Sequence, residues 1–181
     1  MRRATLGLYN TYDKLRLHEA HFRALARAAP LSKAFDMNLA IFGFPFEGDA
    51  MKIAKEVSER TTIGEGGKYL VELCREGKFL VFDFPNRGFP PQLGEVVSTT
   101  SKPDEKKRIS IFEAMKMLSD RPILFLVGLG RKGLPEDVLE TSKYHLELTG
   151  RGISLETCTA MGVLASSLWM GVKFLEGKHR W

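Results

Sequence analysis

Six short apolar runs punctuate this chain, separated by amphipathic stretches, and that alternation limits the possible folds more than any other feature. The runs are ATLGLYN (4–10), MNLAIFGF (37–44), FLVFDF (79–84), GEVVST (94–99), PILFLVG (122–128) and KYHLELT (143–149). Such runs, bounded by turn residues, read as buried strands, and helical stretches between successive strands supply the crossovers that parallel pairing requires. The expected fold is therefore α/β, with a largely parallel sheet of about six strands and helices on both faces. A chain of 181 residues suffices for one core, so a single domain over residues 1–181 is expected.

The helical stretches carry their own signals. Leu15, His18, Phe22, Leu25 and Ala29 recur every three or four residues, which predicts one buried stripe on a helix that Pro30 closes. Further helices are expected over 50–60, 67–75, 111–120 and 135–142. Pro135 suits a first helical position, and the acids that follow it complement the helix dipole. A long last helix is expected from about Leu155 to Leu175. The PNRGFPPQLG segment (85–94) reads as an irregular loop.

No apolar run near the ~20 residues of a membrane span is apparent, and the N-terminus lacks the pattern of a signal peptide, so a cytoplasmic protein without a membrane partner is expected. Cys74 and Cys158 lie far apart with no CxxC, which points to two buried thiols rather than a disulfide or zinc framework. The formal net charge of +5 favours a polyanionic partner. Its distribution says more: Arg2, Arg3, Lys14, Arg16, Arg23 and Arg27 cluster near the N-terminus, and Lys102, Lys106, Lys107 and Arg108 form a second group. Both groups are candidate phosphate contacts, although charge runs commonly serve only to solvate a surface.

Three local motifs bear on chemistry. GLGRKG (128–133) is a formal G-x-G-x-x-G after a strand and before a helix, the setting of a dinucleotide site. The following helix is short for that role, and only about 50 residues remain after the glycines. Glycines there nonetheless imply a close backbone approach, either to a ligand or to another chain segment. GFPFEGDA (43–50) has the glycines of a phosphate loop but Asp49 and Ala50 where Lys and Ser or Thr should stand. HEAH (18–21) spaces two histidines without a third ligand, so no metal is expected. There is no G-x-S-x-G elbow, and no nucleophilic hydrolase is indicated.

Three segments of the last third, taken in order, resemble the SPOUT superfamily of trefoil-knotted RNA methyltransferases that use S-adenosylmethionine. VVSTTSKPDEKKR (96–108) is similar to the family's strand and hydroxyl-rich loop. ILFLVGLGRKGLPEDVLETSKYHLEL (123–148) is similar to its glycine loop with flanking strands, and GISLETCTAMGVL (152–164) to its Ser-Leu-Asn-x-Ser-x-Ala helix start, with Ser154, Leu155 and Ala160 in register. The resemblance implies a deep C-terminal knot, with the knot and cofactor region over about 94–175. It implies a cofactor pocket walled by Thr99, Thr100 and Ser101, by Val127, Gly128, Leu129, Gly130 and Gly133, and by Leu148, Thr149, Gly150, Ile153, Ser154 and Leu155.

In the N-terminal half, HFRALARAA (21–29) can be laid on the Asn-x-Gly-x-x-x-Arg of family members that methylate ribose. Arg27 then takes the catalytic arginine's position, while His21 and Arg23 stand in place of Asn and Gly. Leu129, Arg131 and Lys132 replace the pattern around the second motif's glutamate, Glu156 replaces Asn, and Cys158 replaces Ser. The resemblance makes Arg27 and Glu156 the candidate catalytic residues, although an acid at a helix start also serves the dipole. Arg23, Arg87, Lys102, Lys106, Lys107 and Arg108 are candidate contacts to tRNA or rRNA. Met161, Trp169, Met170 and Phe174 widen the last helix's apolar face, and by the same resemblance it would form a homodimer. Two alternatives stay open: a catalytically silent RNA-binding protein of this fold, and a dinucleotide-binding protein using Gly128–Gly133.

Overall fold

Parallel strands cannot be joined by tight turns, so each strand must be followed by a crossover, and the chain follows this rule almost throughout. The structure is a computed structural model that describes residues 4–60 and 66–177. In chain order the elements are β1 (Ala4–Asn10), α1 (Glu19–Ala34), β2 (Asn38–Phe42), α2 (Ala50–Arg60), α3 (Gly66–Arg75), β3 (Phe79–Phe82), β4 (Glu95–Thr99), β5 (Arg108–Ile109), α4 (Ile111–Asp120), β6 (Ile123–Leu129), α5 (Glu136–Thr141), β7 (Tyr144–Leu146) and α6 (Thr157–Leu175). Among the described residues seven strands form one sheet in the order β3-β2-β1-β6-β4-β7-β5, and every neighbouring pair is parallel.

The two central strands, β1 and β6, are buried along their whole length. Their side chains alternate as the pleat requires. Leu6, Leu8, Phe125 and Val127 join one core cluster, and Tyr9, Leu124 and Leu126 join the other. The two faces are covered unequally. α1, α2, α3, α4 and α6 all contribute to the first cluster, whereas the second is closed by α5, a single 3₁₀ turn at Pro91–Leu93, and loop aromatics including Phe84 and Phe89.

Several boundaries differ from expectation, each for a local reason. β5 is a seventh strand, only two residues long, that carries no run of its own and forms by pairing with β7. α1 starts at Glu19, and Leu15 is 89% exposed, because Asp13 Oδ1 accepts from the amides of Leu15 (2.8 Å) and Arg16 (3.0 Å) and holds a turn there. Pro30 lies inside α1 rather than ending it. An interior proline costs about 3 kcal/mol. Here the last turn is held by Lys33, which pairs with Glu72 (3.2 Å) and Glu76 beside α3, and by Phe35, whose ring meets Trp169 of α6 at 5.8 Å.

α6 begins at Thr157, since Glu156 caps it. It is also, contrary to the sequence expectation, long and apolar enough by length and composition to cross a membrane. In this fold Ala160, Met161, Leu164, Ala165 and Leu168 are buried, and the helix packs on α1 and α4. Met161 therefore belongs to the core row, while Met170, Phe174 and Leu175 are exposed. Cys74 and Cys158 are free and half-buried. Arg2 and Arg3 lie outside the described residues.

Candidate active-site crevice

In an open parallel sheet the loops at the strands' C-terminal ends diverge where the crossover direction reverses, and ligands bind there. In this sheet the reversal falls beside β1 and β6, with β2 and β3 on one side and β4, β7 and β5 on the other. A crevice of about 1420 Å³ opens at that place. Its floor and walls come from the loops after β1, β4, β6 and β7, from the start of α6, and from one face of α1 carrying Glu19, Arg23 and Arg27.

The loop after β6 is shaped by its glycines. A Cβ on Gly128 would stand 2.5 Å from the Gly133 carbonyl carbon, 2.7 Å from its oxygen and 2.8 Å from Leu134 N, all backbone atoms. Only glycine lets the strand end pass so close to its own returning loop. Side chains then fix the loop from two sides. Thr157 Oγ1 donates to Gly128 O (3.0 Å) and accepts from Gly130 N (3.5 Å), and Thr11 Oγ1 donates to Leu129 O (2.6 Å). The opposite wall is similarly pinned: Thr99 Oγ1 donates to Leu126 O (2.8 Å), and Thr100 Oγ1 accepts from Lys102 N (3.1 Å).

The segment after β7 is organised around Glu147 and Thr149. Glu147 Oε1 accepts from Thr149 N (2.9 Å) and Thr149 Oγ1 (2.6 Å), and Thr149 Oγ1 accepts from Ile153 N (3.2 Å). These bonds outweigh burial and hold the Glu147 carboxyl below its usual range. Glu156 spends Oε2 on the amides of Cys158 (2.8 Å) and Thr159 (3.2 Å). It thereby satisfies two orphan donors of α6, a cap of a kind worth about 1 kcal/mol. Beside it, Arg27 Nη1 donates to Cys158 Sγ at 3.5 Å, and this contact together with the Glu156 charge raises the Arg27 pKa. Burial and Glu156 push the Cys158 thiol up, against the opposing pull of Arg27.

Thr99, Thr100, Ser101, Val127, Gly128, Leu129, Gly130, Gly133, Leu148, Ile153, Ser154 and Leu155 all line this one crevice, as do Arg27 and Glu156. Thr149 and Gly150 instead face a neighbouring depression against β5 and α4, which Leu148 also lines. Arg23 and Lys102 line the main crevice. Arg87 and Lys106 are exposed. Arg108 pairs with Glu105 (3.0 Å), and Lys107 Nζ donates to the carbonyls of Leu139 (3.1 Å) and Glu140 at the end of α5. Among the described residues no group of three or more His, Cys, Asp or Glu could hold a metal ion.

The loop after β1 holds no recognisable motif, yet it carries much of the crevice's order. Asn10 is fully buried. Its amide donates to Asp13 O (2.7 Å) and Gly43 O (2.8 Å), and its Oδ1 accepts from Tyr12 N (3.1 Å) and lies 3.3 Å from His21 Nε2. His21 Nδ1 accepts from His18 N (3.0 Å), so these partners put the proton on Nε2 and make the neutral ring the form that fits. Burial lowers the His21 pKa. A histidine whose folded pKa is depressed takes up its proton more readily in the unfolded chain. Stability from this site is thus fully present above the ordinary value of 6.5 and is lost as pH falls below it. The wild-type Tm is expected to decline between pH 7 and pH 5, and His21→Gln to flatten that decline; parallel slopes by thermal denaturation would reject the assignment.

The fold of this chain is similar to that of several solved methylase structures. The chain superposes with a TM-score of 0.65 on a probable methylase family protein from Haemophilus influenzae, at 18% identity and covering 98% of this chain and 69% of that one. It superposes at 0.55 on the TrmH/SpoU tRNA modifying enzyme of A. aeolicus (15% identity, 98% and 79% covered), and at 0.54 on an AdoMet-bound rRNA methyltransferase from Sinorhizobium meliloti (13% identity, 91% and 55% covered). In sequence, residues 4–169 match the family described as "Protein of unknown function (DUF531)", and the chain belongs to that family. An uncharacterised protein of Methanocaldococcus jannaschii is 46% identical over 175 residues, covering 97% of this chain and 98% of its own length.

Proposed function

We propose that this protein binds S-adenosylmethionine in the crevice and transfers its methyl group to structured RNA, a tRNA or an rRNA. The observation that carries this reading is the crevice itself. Three separately pinned loops, after β4, β6 and β7, converge with the start of α6 at the sheet's reversal, in a fold shared with an AdoMet-bound methyltransferase. The residues fit the group. The close Gly128–Gly133 approach folds the loop after β6 tightly at the crevice floor, and Val127, Leu129, Leu148, Ile153 and Leu155 offer apolar contacts to an adenosine moiety beside the hydroxyls of Thr99, Thr100 and Ser101.

When bound, the cofactor supplies an electrophilic methyl on a sulfonium. The loops after β4, β6 and β7 would hold it, and the chain's remaining task is to present an acceptor in line with that methyl, since positioning can contribute about 7 to 11 kcal/mol to such a step. Arg27 reaches this region from α1 and, with its raised pKa, stays charged, so it orients or polarises an acceptor oxygen. Glu156 serves first as the cap of α6, and its negative charge favours the charged Arg27 guanidinium nearby. Arg23 and Lys102 on the crevice wall, with exposed Arg87 and Lys106, would meet phosphates. The approach of Gly152 to Ser101 O and the bonds of Thr157 to the loop after β6 support a knotted C-terminus, and exposed Met170, Phe174 and Leu175 on α6 support a homodimer.

The test is thermal unfolding with S-adenosylmethionine and with S-adenosylhomocysteine. A ligand at 100 times its Kd stabilises by about 2.7 kcal/mol, so a rise in Tm with both is expected, followed by radiolabelled methyl transfer to bulk tRNA or rRNA. No rise with either ligand overturns the cofactor assignment. A rise without transfer to any RNA that the protein binds would favour the silent RNA-binding alternative, and a rise with NAD instead would favour the dinucleotide one.

A further inference from the structure

One exposed aromatic needs no explanation of its own, but Tyr12 is held in an unusual way. The backbone around it is tied at four consecutive residues: Asn10 bonds to Asp13 O and Gly43 O, Thr11 to Leu129 O, Tyr12 N to Asn10 Oδ1, and Asp13 to the amides of Leu15 and Arg16. Behind the Tyr12 ring stand His18 and His21, each at 80° to it, with centroids 5.4 and 5.8 Å away. His18 is in turn fixed to Asp13 Oδ2 at 2.7 Å. The fold thus immobilises the ring, yet leaves the residue 56% exposed on the wall of the crevice.

The charges beside it follow a line. Arg23 and Arg27 occupy the same face of α1 at one-turn spacing, and both line the crevice, as does Glu19 just after Tyr12's neighbour His18. From residue 19 to 27 the helix rises about 12 Å, so the row leads from the aromatic ring past the Glu19 carboxylate and the Arg23 cation to the Arg27–Cys158 contact. A rigid ring followed by spaced cations is how proteins hold single-stranded nucleic acid, with bases on π-faces and phosphates on guanidinium groups.

We propose that Tyr12 is a stacking platform for an unpaired base of the RNA, so that the crevice accepts a strand with that base turned out of its helix. Arg23 meets the intervening phosphate, and the acceptor nucleotide lies toward Arg27. The inference rests on the RNA-methylation reading and narrows its substrate to a loop, bulge or everted nucleotide. Ring stacking also explains why the loop is so heavily bonded: a platform fixed in advance loses little conformational freedom when the base arrives.

The test uses the full chain and an oligouridine of about 12 nucleotides carrying one 2-aminopurine, whose fluorescence falls on stacking. Wild type is expected to bind and quench it. Tyr12→Phe should behave alike, while Tyr12→Leu should bind about tenfold more weakly and quench little, the loss of one base–aromatic contact. Tm with S-adenosylmethionine is followed in all three proteins. If wild type and Tyr12→Leu bind and quench equally, or if wild type does not bind the oligonucleotide, the platform is overturned. The methyltransferase reading survives that result if the cofactor still raises Tm, and falls on its own if it does not.

Discussion

Replacing Arg27 with methionine is expected to slow methyl transfer by about 100-fold or more, the range associated with losing one positioned electrostatic donor, while the cofactor-induced rise in Tm is kept. The expectation follows from where the guanidinium stands. It reaches the crevice from α1 and meets Cys158 Sγ at 3.5 Å near the start of α6, whereas the loops proposed to hold the cofactor are pinned by Thr11, Thr99 and Thr157, none of which bonds to Arg27. Methionine keeps the apolar stem and removes the charge and its donors. Arg27→Lys keeps a charge but loses the planar fork, so an intermediate rate is expected. Single-turnover transfer measured beside cofactor-dependent Tm separates the two effects. A methionine variant with the wild-type rate would remove Arg27 from the chemistry.

A larger structural effect is expected at Gly128. Its Cβ would press on the carbonyl group of Gly133 and on Leu134 N, and backbone cannot swing aside as a side-chain tip can. The Thr157 hydroxyl, bonded to both Gly128 O and Gly130 N, also opposes any outward shift of the loop. Gly128→Ala should therefore cost about 1 to 3 kcal/mol, as overpacking does, and abolish the cofactor's stabilising effect. Gly162, inside α6 with nothing within 4 Å of an added Cβ, is the control. There alanine removes backbone entropy from the unfolded chain and should hold or raise Tm. If Gly128→Ala still gains stability from the cofactor, the loop after β6 is not where the ligand sits.

The sheet was largely readable from the alternation of apolar runs, because buried parallel strands have to be apolar on both faces. β5 was not, since two residues, Arg108 and Ile109, hold no pattern and are strand only by virtue of β7. Helix ends depart from periodicity where a side chain overrides it. Asp13 diverts the chain before α1, Glu156 delays the start of α6, and packing carries α1 through Pro30. For the crevice, the glycine loop and the hydroxyl-rich loop were visible because backbone approach and small polar residues leave a trace in sequence. Asn10 and Tyr12 leave none, and His18 shows only as a helix position, as their joint action depends on a loop geometry that spacing along the chain does not encode. Glu147 sits inside the KYHLELT run with nothing in the pattern to mark it, although it organises the turn that follows.

The unequal cover of the sheet has a consequence for how the molecule opens. One face is sealed by five helices, but over Phe42 and Tyr9 the seal is made by Phe84, Phe89 and Leu93, which belong to the segment 83–94. Irregular backbone of this kind can detach without unravelling the helical layer. Hydrogen exchange should then divide the protein into two units. Amides of β1 and β6 would exchange only with global unfolding, and those of β3 and the 83–94 segment in a smaller opening that lays bare a row of aromatic rings while the crevice stays intact.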